Sequence, residues 1–490
     1  MNTTSRFLIS SAIATLALCT ASVRADIFGT GGNAITINFV EIGNPGNPND
    51  TVTASDGSGL HFGAVNYPYA IGKYKVTLTQ YTAFLNAVAA TDTYSLYNPS
   101  LATSLNTVGI ARTGTAGSYH YLVIGDGQRP VTYVTWFNAA RFTNWLHNGH
   151  PNTGSQKAAT TEDGAYTLNG AVSDGSNIAK NVNAKYWIPS EDEWYKAAHY
   201  DPVSAGADAC GTADYWLYPT RSDDAPGNVV GALPNQANYF TDQGSNVYSL
   251  TQSATYDPSL NYLTPVGVYT SSASHYGTFD QGGLLWEWND AVIGTGPCIR
   301  GLRGNSWSIW NQAVCLQSIT RGYSYPTYET NWIGFRVARL ADSDVDGIFD
   351  PYETGTGIYV SPEDTGTSPT NSDSDNDGLR DGAEVFTYHT NPNLLDTDAD
   401  GFLDGYEVLT GKSPIDPLDH PALVAEARTA IEFTFPAAVG KTYRIEDSTD
   451  LATWTTVETG IAGTGAVIQR FYSTRNVTKR YFRVADETAP

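Results

Sequence analysis

Residues 186–202 read YWIPSEDEWYKAAHYDP. Ser190 followed three residues later by Glu193 is a capping box, acids fill the first turn behind it, and Pro202 closes the far end. One helix is therefore predicted from just after Ser190. Two other stretches pass from alternating apolar residues to apolar spacing of three and four: KYKVTLTQYTAFLNAVAA (73–90) and VTYVTWFNAARFTNWLHNGH (131–150). Each predicts a strand leading into a helix, the second ending at Gly149. Between them lie turns and short strand-like pieces, so this part of the chain is α+β with much irregular structure.

The chain has 490 residues, enough for several domains, and carries 27 basic against 50 acidic residues. A net charge of −23 excludes nucleic acid as a partner, because phosphate binding needs the opposite field. The excess is local: 19 of the 50 acids and only Arg380 and Lys412 among the bases fall in residues 341–420. At the start, Arg6, an apolar run from Phe7 to Leu18 and the small residues Val23 and Ala25 predict a secretory signal peptide cut after Ala25. No later run is long and apolar enough to span a bilayer. An exported protein, secreted or held in the cell envelope or periplasm, is expected. Cys210, Cys298 and Cys315 then remain; no C-x-x-C occurs, which removes a zinc ribbon, and a Cys298–Cys315 bridge stays open.

The acids follow a rule. DSDVDGIFDPYE (342–353), DSDNDGLRDGAE (373–384) and DTDADGFLDGYE (396–407) share one spacing to the residue. At about 4 Å each like-charged pair costs about 1 kcal/mol even in bulk water, so a cation is needed to gather them. The pattern is that of a calcium loop. Positions one, three, five, nine and twelve would supply Asp342, Asp344, Asp346, Asp350 and Glu353 in the first copy. The second offers Asp373, Asp375, Asp377, Asp381 and Glu384, and the third Asp396, Asp398, Asp400, Asp404 and Glu407. Backbone carbonyls at position seven would come from Ile348, Leu379 and Phe402, and Gly347, Gly378 and Gly401 mark the sharp turn. The loops resemble thrombospondin type 3 repeats and predict a calcium-stiffened spacer. From about residue 423, alternation rich in Thr, Tyr, Val and Phe predicts a small all-β sheet or sandwich.

A second resemblance covers roughly residues 60–340. RPVTYVTWFNAARFTNWL (129–146), YWIPSEDEWYKAAHYDP, YGTFDQGGLLWEWNDA (276–291), RGLRGNSW from Arg300 and NWIGFRVAR ending at Arg339 stand in one order. Together they resemble the formylglycine-generating enzyme, or sulfatase-modifying factor, family, a variant of the C-type lectin fold. Active members oxidise a substrate cysteine with copper and oxygen, using two cysteines beyond the Gly-Gly-Ser stretch. A soft Cu(I) site needs such a thiolate pair. Here the corresponding positions hold Ile309 and Ala313, or Val314 with a different gap, and Cys315 lies one or two places off, so copper and the family oxidation are not expected. The resemblance also implies a calcium site at Asp280, Gly283, Leu285 and Glu287, although Leu284 stands where the family has Asn. The alternative for Glu287 is a pair with an Arg.

The expected organisation is a signal peptide (1–25), a sulfatase-modifying-factor-like domain (26–340), a calcium repeat region (341–422) and a small β domain (423–490). The leading functional reading is a non-catalytic binding module. Its ligand, a glycan, peptide or surface protein, would meet a face bearing Ser306, Trp307, Trp310, Arg321, Tyr323 and Trp332, with Tyr325 and Tyr328 beside them. The competing readings are a divergent formylglycine-generating oxidoreductase using Cys315, and a structural envelope or matrix protein.

Overall fold

The computed structural model describes residues 23–29, 34–202, 215–241, 244, 246–294, 298–308, 312–421, 430–473 and 479–488. Its contacts divide the chain into two units, 1–406 and 407–490.

The first unit holds a five-stranded sheet in the order β1-β2-β3-β11-β6. These strands are β1 (Val23–Phe28), β2 (Ile35–Ile42), β3 (Tyr69–Gly72), β6 (Tyr186–Trp187) and β11 (Ala338–Leu340), all antiparallel neighbours. Helices α1 (Leu78–Val88) and α3 (Trp136–His147), separated by the one-turn α2 (Ser100–Thr103) and the hairpin β4 (Ile110–Thr113)–β5 (His120–Val123), supply the rest of the core. Thr77 caps α1 with Gln80 completing the box, and Thr135 caps α3. The strand expected just ahead of α1 lies a few residues earlier, at β3, and residues 131–135 ahead of α3 are not a strand. Their apolar residues Val131 and Val134 are buried nonetheless, so the alternation reported packing rather than pairing.

Aromatic rings fill the space between helices and sheet. Phe142 of α3 meets Phe84 of α1 at 5.3 Å and Phe335 at 5.4 Å, both edge-on. Each such ring contributes about 1.5–3 kcal/mol by leaving water. Helix α4 (Glu191–His199) starts at Ser190 with the predicted capping box.

A second sheet, β10-β7-β8-β9, comprises β7 (Trp286–Val292), β8 (Arg300–Arg303), β9 (Gly322–Ser324) and β10 (Ile333–Gly334), with β10 parallel to β7. It sets Glu287 opposite Arg303 on one side and Gly334 on the other, just ahead of Arg336. The three acidic loops follow β11; the first two, and the third up to Tyr406, fall within the first unit. Among the described residues the second unit contains five strands, β12 (Ala430–Pro436), β13 (Thr442–Ser448), β14 (Thr455–Ala462), β15 (Val467–Ser473) and β16 (Tyr481–Asp486). They form the sheets β12-β15 and β14-β13-β16, with Phe435, Ile445, Ile461 and Ile468 buried among them.

Candidate metal and ligand sites

Within each acidic loop the first carboxylate accepts the N–H of the glycine at position six. Asp342 takes Gly347 at 3.2 Å, Asp373 takes Gly378 at 3.2 Å, and Asp396 takes Gly401 at 2.8 Å. Those glycines have φ between 99° and 112°, the conformation the turn requires. The carboxylates at position five accept the N–H at position seven: Ile348 to Asp346 at 2.7 Å, Leu379 to Asp377 at 2.7 Å, Phe402 to Asp400 at 2.9 Å. These turns draw the oxygens together. Asp342, Asp344 and Asp346 present ligand atoms within 4.8 Å of one another, as do Asp373, Asp375 and Asp377, and Asp396, Asp398 and Asp400.

Two features of the loops were not read from the sequence. Position four is left-handed in every copy: Val345 at φ 65°, Asn376 at 65°, Ala399 at 60°. Position nine, expected to reach the metal, is anchored within its own loop on the residue at position two. Asp350 accepts both the N–H and the hydroxyl of Ser343, at 2.7 and 2.8 Å. Asp381 does the same with Ser374 at 2.7 and 2.6 Å, and Asp404 with Thr397 at 2.8 and 2.6 Å. The recurrence of Ser, Ser and Thr after the opening Asp was the available signal.

Position twelve is deeply placed. Glu353 is 4% exposed and Glu384 fully buried; each accepts one threonine hydroxyl, from Thr367 and Thr390, on Oε1. Oε2 of each is buried without a partner, as is Oδ2 of Asp346, Asp375 and Asp400. Burial, and then the neighbouring carboxylates, push Glu384 up to about 9 and Glu353 up to about 8. Burial foremost carries Asp346 and Asp375 up to about 7. A hard divalent cation matches this all-oxygen donor set and would remove the mutual repulsion. Loop one is seated against the preceding domain: the Asp350 N–H donates to the Ala341 carbonyl at 2.9 Å, Phe349 meets Tyr186 edge-on at 6.2 Å, and Arg24 of β1 contacts Asp342.

The calcium expectation for Asp280, Gly283, Leu285 and Glu287 gives way to its alternative. Both Glu287 oxygens are taken, by Lys75 at 2.6 Å, by Arg336 at 2.5 and 2.9 Å and by the Trp194 ring N–H at 3.0 Å. All three charged side chains are fully buried. Burial opposes ionisation of Glu287, but Arg336 and Lys75 outweigh it and hold the carboxyl below its usual range. Lys75 also donates to the Asp280 carbonyl, and the Asp280 carboxylate accepts the Gly267 N–H at 2.6 Å. The carbonyl of Gly283, one of the two expected backbone ligands, accepts the Leu285 N–H at 2.9 Å. Two negative and two positive side chains already balance there, so a divalent ion has no charge to neutralise.

The proposed ligand face divides. Ser306 is fully buried, and Trp307, 4% exposed, lies stacked on Tyr262 with 8° between planes. Arg321 grips Glu191 with two nitrogens, at 2.9 and 2.7 Å, and Asp56 at 3.1 Å. These three are held within the domain, Trp307 by the ring of Tyr262 and Arg321 by Glu191 of α4, and do not form an open binding face. Trp332 is half-buried against Tyr328. Tyr323, Tyr325 and Tyr328 are exposed. Tyr325 borders a cleft of about 470 Å³ with Ser173, Asp174, Ser176, Cys298, Pro326 and Thr327. Trp310, Ile309 and Cys210 lie outside the described residues. Cys298 is buried, Cys315 half-buried in the turn Ala313–Leu316, and neither is in a disulfide, so the open bridge is not formed. Ala313, at one family cysteine position, is buried and offers a methyl group. The residues present do not fit the family's two-thiolate copper site.

The sulfatase-modifying factor enzyme 1-like domain matches residues 51–341, and the bacterial TSP3 repeat matches residues 373–394. Among solved structures, CarF is 18% identical with a TM-score of 0.37, over 62% of this chain and 99% of that one. Treponema denticola variable protein 1 is 19% identical with a TM-score of 0.37, over 64% and 98%. PvdO from Pseudomonas aeruginosa is 18% identical with a TM-score of 0.33, over 64% and 97%. No curated protein matches the chain.

Proposed function

This chain belongs to the sulfatase-modifying factor enzyme 1-like family, and on that premise we propose that it is an exported calcium-binding protein whose family domain binds a ligand without oxidising it. The observation that carries the calcium half is the set of buried carboxylate oxygens in the acidic loops that meet no hydrogen-bond donor. A repeat of the bacterial TSP3 type at the second loop supports it. The first two loops each take one calcium ion through the acids at positions one, three, five and twelve, with position nine reaching it directly or through water, and the third takes one through Asp396, Asp398, Asp400 and Asp404. Titration of the full chain from Asp26 with calcium, followed by chelator, tests this: three reversible sites are expected, and fewer than two would overturn it.

The binding half rests on Ile309 and Ala313 in place of a thiol pair, on Tyr325, exposed at the cleft it shares with Cys298, and on the exposed rings of Tyr323 and Tyr328. Tyrosines at a cleft give rigid, half-polar contact area suited to a glycan or an extended peptide. A glycan and peptide array with and without calcium tests it, with Tyr325→Ala abolishing any signal that belongs to this face. Conversion of a cysteine-containing sulfatase peptide by the purified protein would refute it. Among the described residues no helix is long and apolar enough to cross a membrane. Amino-terminal sequencing of the exported protein should begin at Asp26, a cut that shortens β1 to Asp26–Phe28 and removes the Arg24 contact to Asp342.

A further inference from the structure

The acidic loops touch one another in a fixed order, and that order reaches into the metal positions. Asp346 and Glu353 of loop one lie, with Asp381 of loop two, within 4.8 Å of one another at their ligand atoms. Asp377 and Glu384 of loop two stand in the same relation to Asp404 of loop three. In both clusters the glutamate at position twelve is more than nine-tenths buried and directs an oxygen that no donor meets. Asp381 and Asp404 each accept two hydrogen bonds from the residue at position two of their own loop. A carboxylate has about four acceptor sites, so both keep capacity for a cation.

The backbone fixes the contact. Gly405, after Asp404, donates its N–H to Asp377 of the preceding loop at 2.6 Å. A Cβ on Gly382 would overlap the carbonyl oxygen of Asp346, and one on Gly405 the carbonyl oxygen of Asp377. Position ten is therefore glycine in the copies that lie on a predecessor. It is Pro351 in the first copy, which has none.

Resting on the calcium reading above, we propose that the loops are one coupled array, in which Asp381 completes the calcium site of loop one and Asp404 that of loop two. Each of these carboxylates then serves two ions, and filling a later loop fixes a ligand for the earlier one. Asp350, at the same position in the first copy, serves one. Loop three has no fourth copy after it and keeps only its own ligands.

The test compares one substitution at equivalent positions of the full chain from Asp26, read by isothermal calcium titration. Asp381→Asn is expected to weaken two of the three sites at least tenfold, and Asp350→Asn one. Equal numbers of weakened sites in the two variants would overturn the coupling while leaving calcium binding intact. A wild-type chain that takes up no calcium would instead defeat the reading on which the coupling rests, and the coupling with it. Gly382→Ala removes no carboxylate and guards against loss of folding, which melting in chelator also checks. It should weaken loop one and spare loop three, and a titration matching wild type would count against the contact between loops.

Discussion

Two places in this molecule gather carboxylates, and they resolve the repulsion in opposite ways. At Glu287 the chain supplies its own cations, Lys75 and Arg336, and the cluster is closed, buried and neutral. In the acidic loops the described residues bring a single cation to the inner oxygens, Arg24 at Asp342 of loop one, and several of those oxygens meet no donor. The loops were expected from their spacing to hold calcium, and the Glu287 site only from the family resemblance, with a pair to an Arg as its alternative. Only the loops retain a charge for the ion to cancel. An acidic motif is thus open to a cation when the fold brings it fewer lysines and arginines than carboxylates, and that is decided by residues far away in the chain.

The largest test of this contrast is Glu287→Gln. Breaking a buried pair on one side leaves uncompensated charge, so the variant should lose about 3–5 kcal/mol in a denaturant melt. Its calcium titration should match wild type; a lost site would make Glu287 a ligand and collapse the comparison.

Acid probes the closed region from another side. His199, held by the Trp216 carbonyl at 2.9 Å, is pushed down to about 3 by burial first and by Arg303 second. Its folded value lies below the unfolded one near 6.5, so its contribution is complete above pH 6.5 and is lost as the pH falls toward 3. About 3 kcal/mol should be gone at pH 4, and His199→Gln should flatten that limb of a pH–stability curve measured in chelator.

Per filled loop, calcium should act on the open region with comparable but smaller force. At one hundred times Kd, each filled loop adds about 2.7 kcal/mol. The rise in melting temperature should be the same in wild type and in Glu287→Gln, since distant changes add.

The smallest effect concerns Val345, a β-branched residue at φ 65° where loop two has Asn376. Val345→Asn should relieve about 1 kcal/mol of backbone strain and tighten one calcium site by roughly fivefold. An unchanged titration would show that calcium binding does not feel this strain.

Local rules made much of this legible. The capping box at Ser190 and the helices after Thr77 and Thr135 are each written within a dozen residues and fold as written, while the three acidic loops turn at the expected glycines but hold position nine on position two. What escaped depends on partners remote in the chain. Lys75 and Glu287 are 212 residues apart, and no spacing announces their meeting. Trp307 and Arg321 looked like surface residues because aromatics and arginines suit binding faces. Tyr262 and Glu191, the partners that bury them, lie on other elements. The contacts between copies were visible as the change from Pro351 to Gly382 and Gly405, but only the folded loops give that change a meaning.

That glycine makes the acidic tract polar in the sense of a stack of tiles, each with an overlapping lip on one edge only. Duplicating the third tile downstream would lengthen the row without redesign, because the added copy brings its own lip. Grafting the first tile into the middle would fail at Pro351, whose ring would strike the tile beneath. The ancestry of such tracts should accordingly record growth at the trailing end.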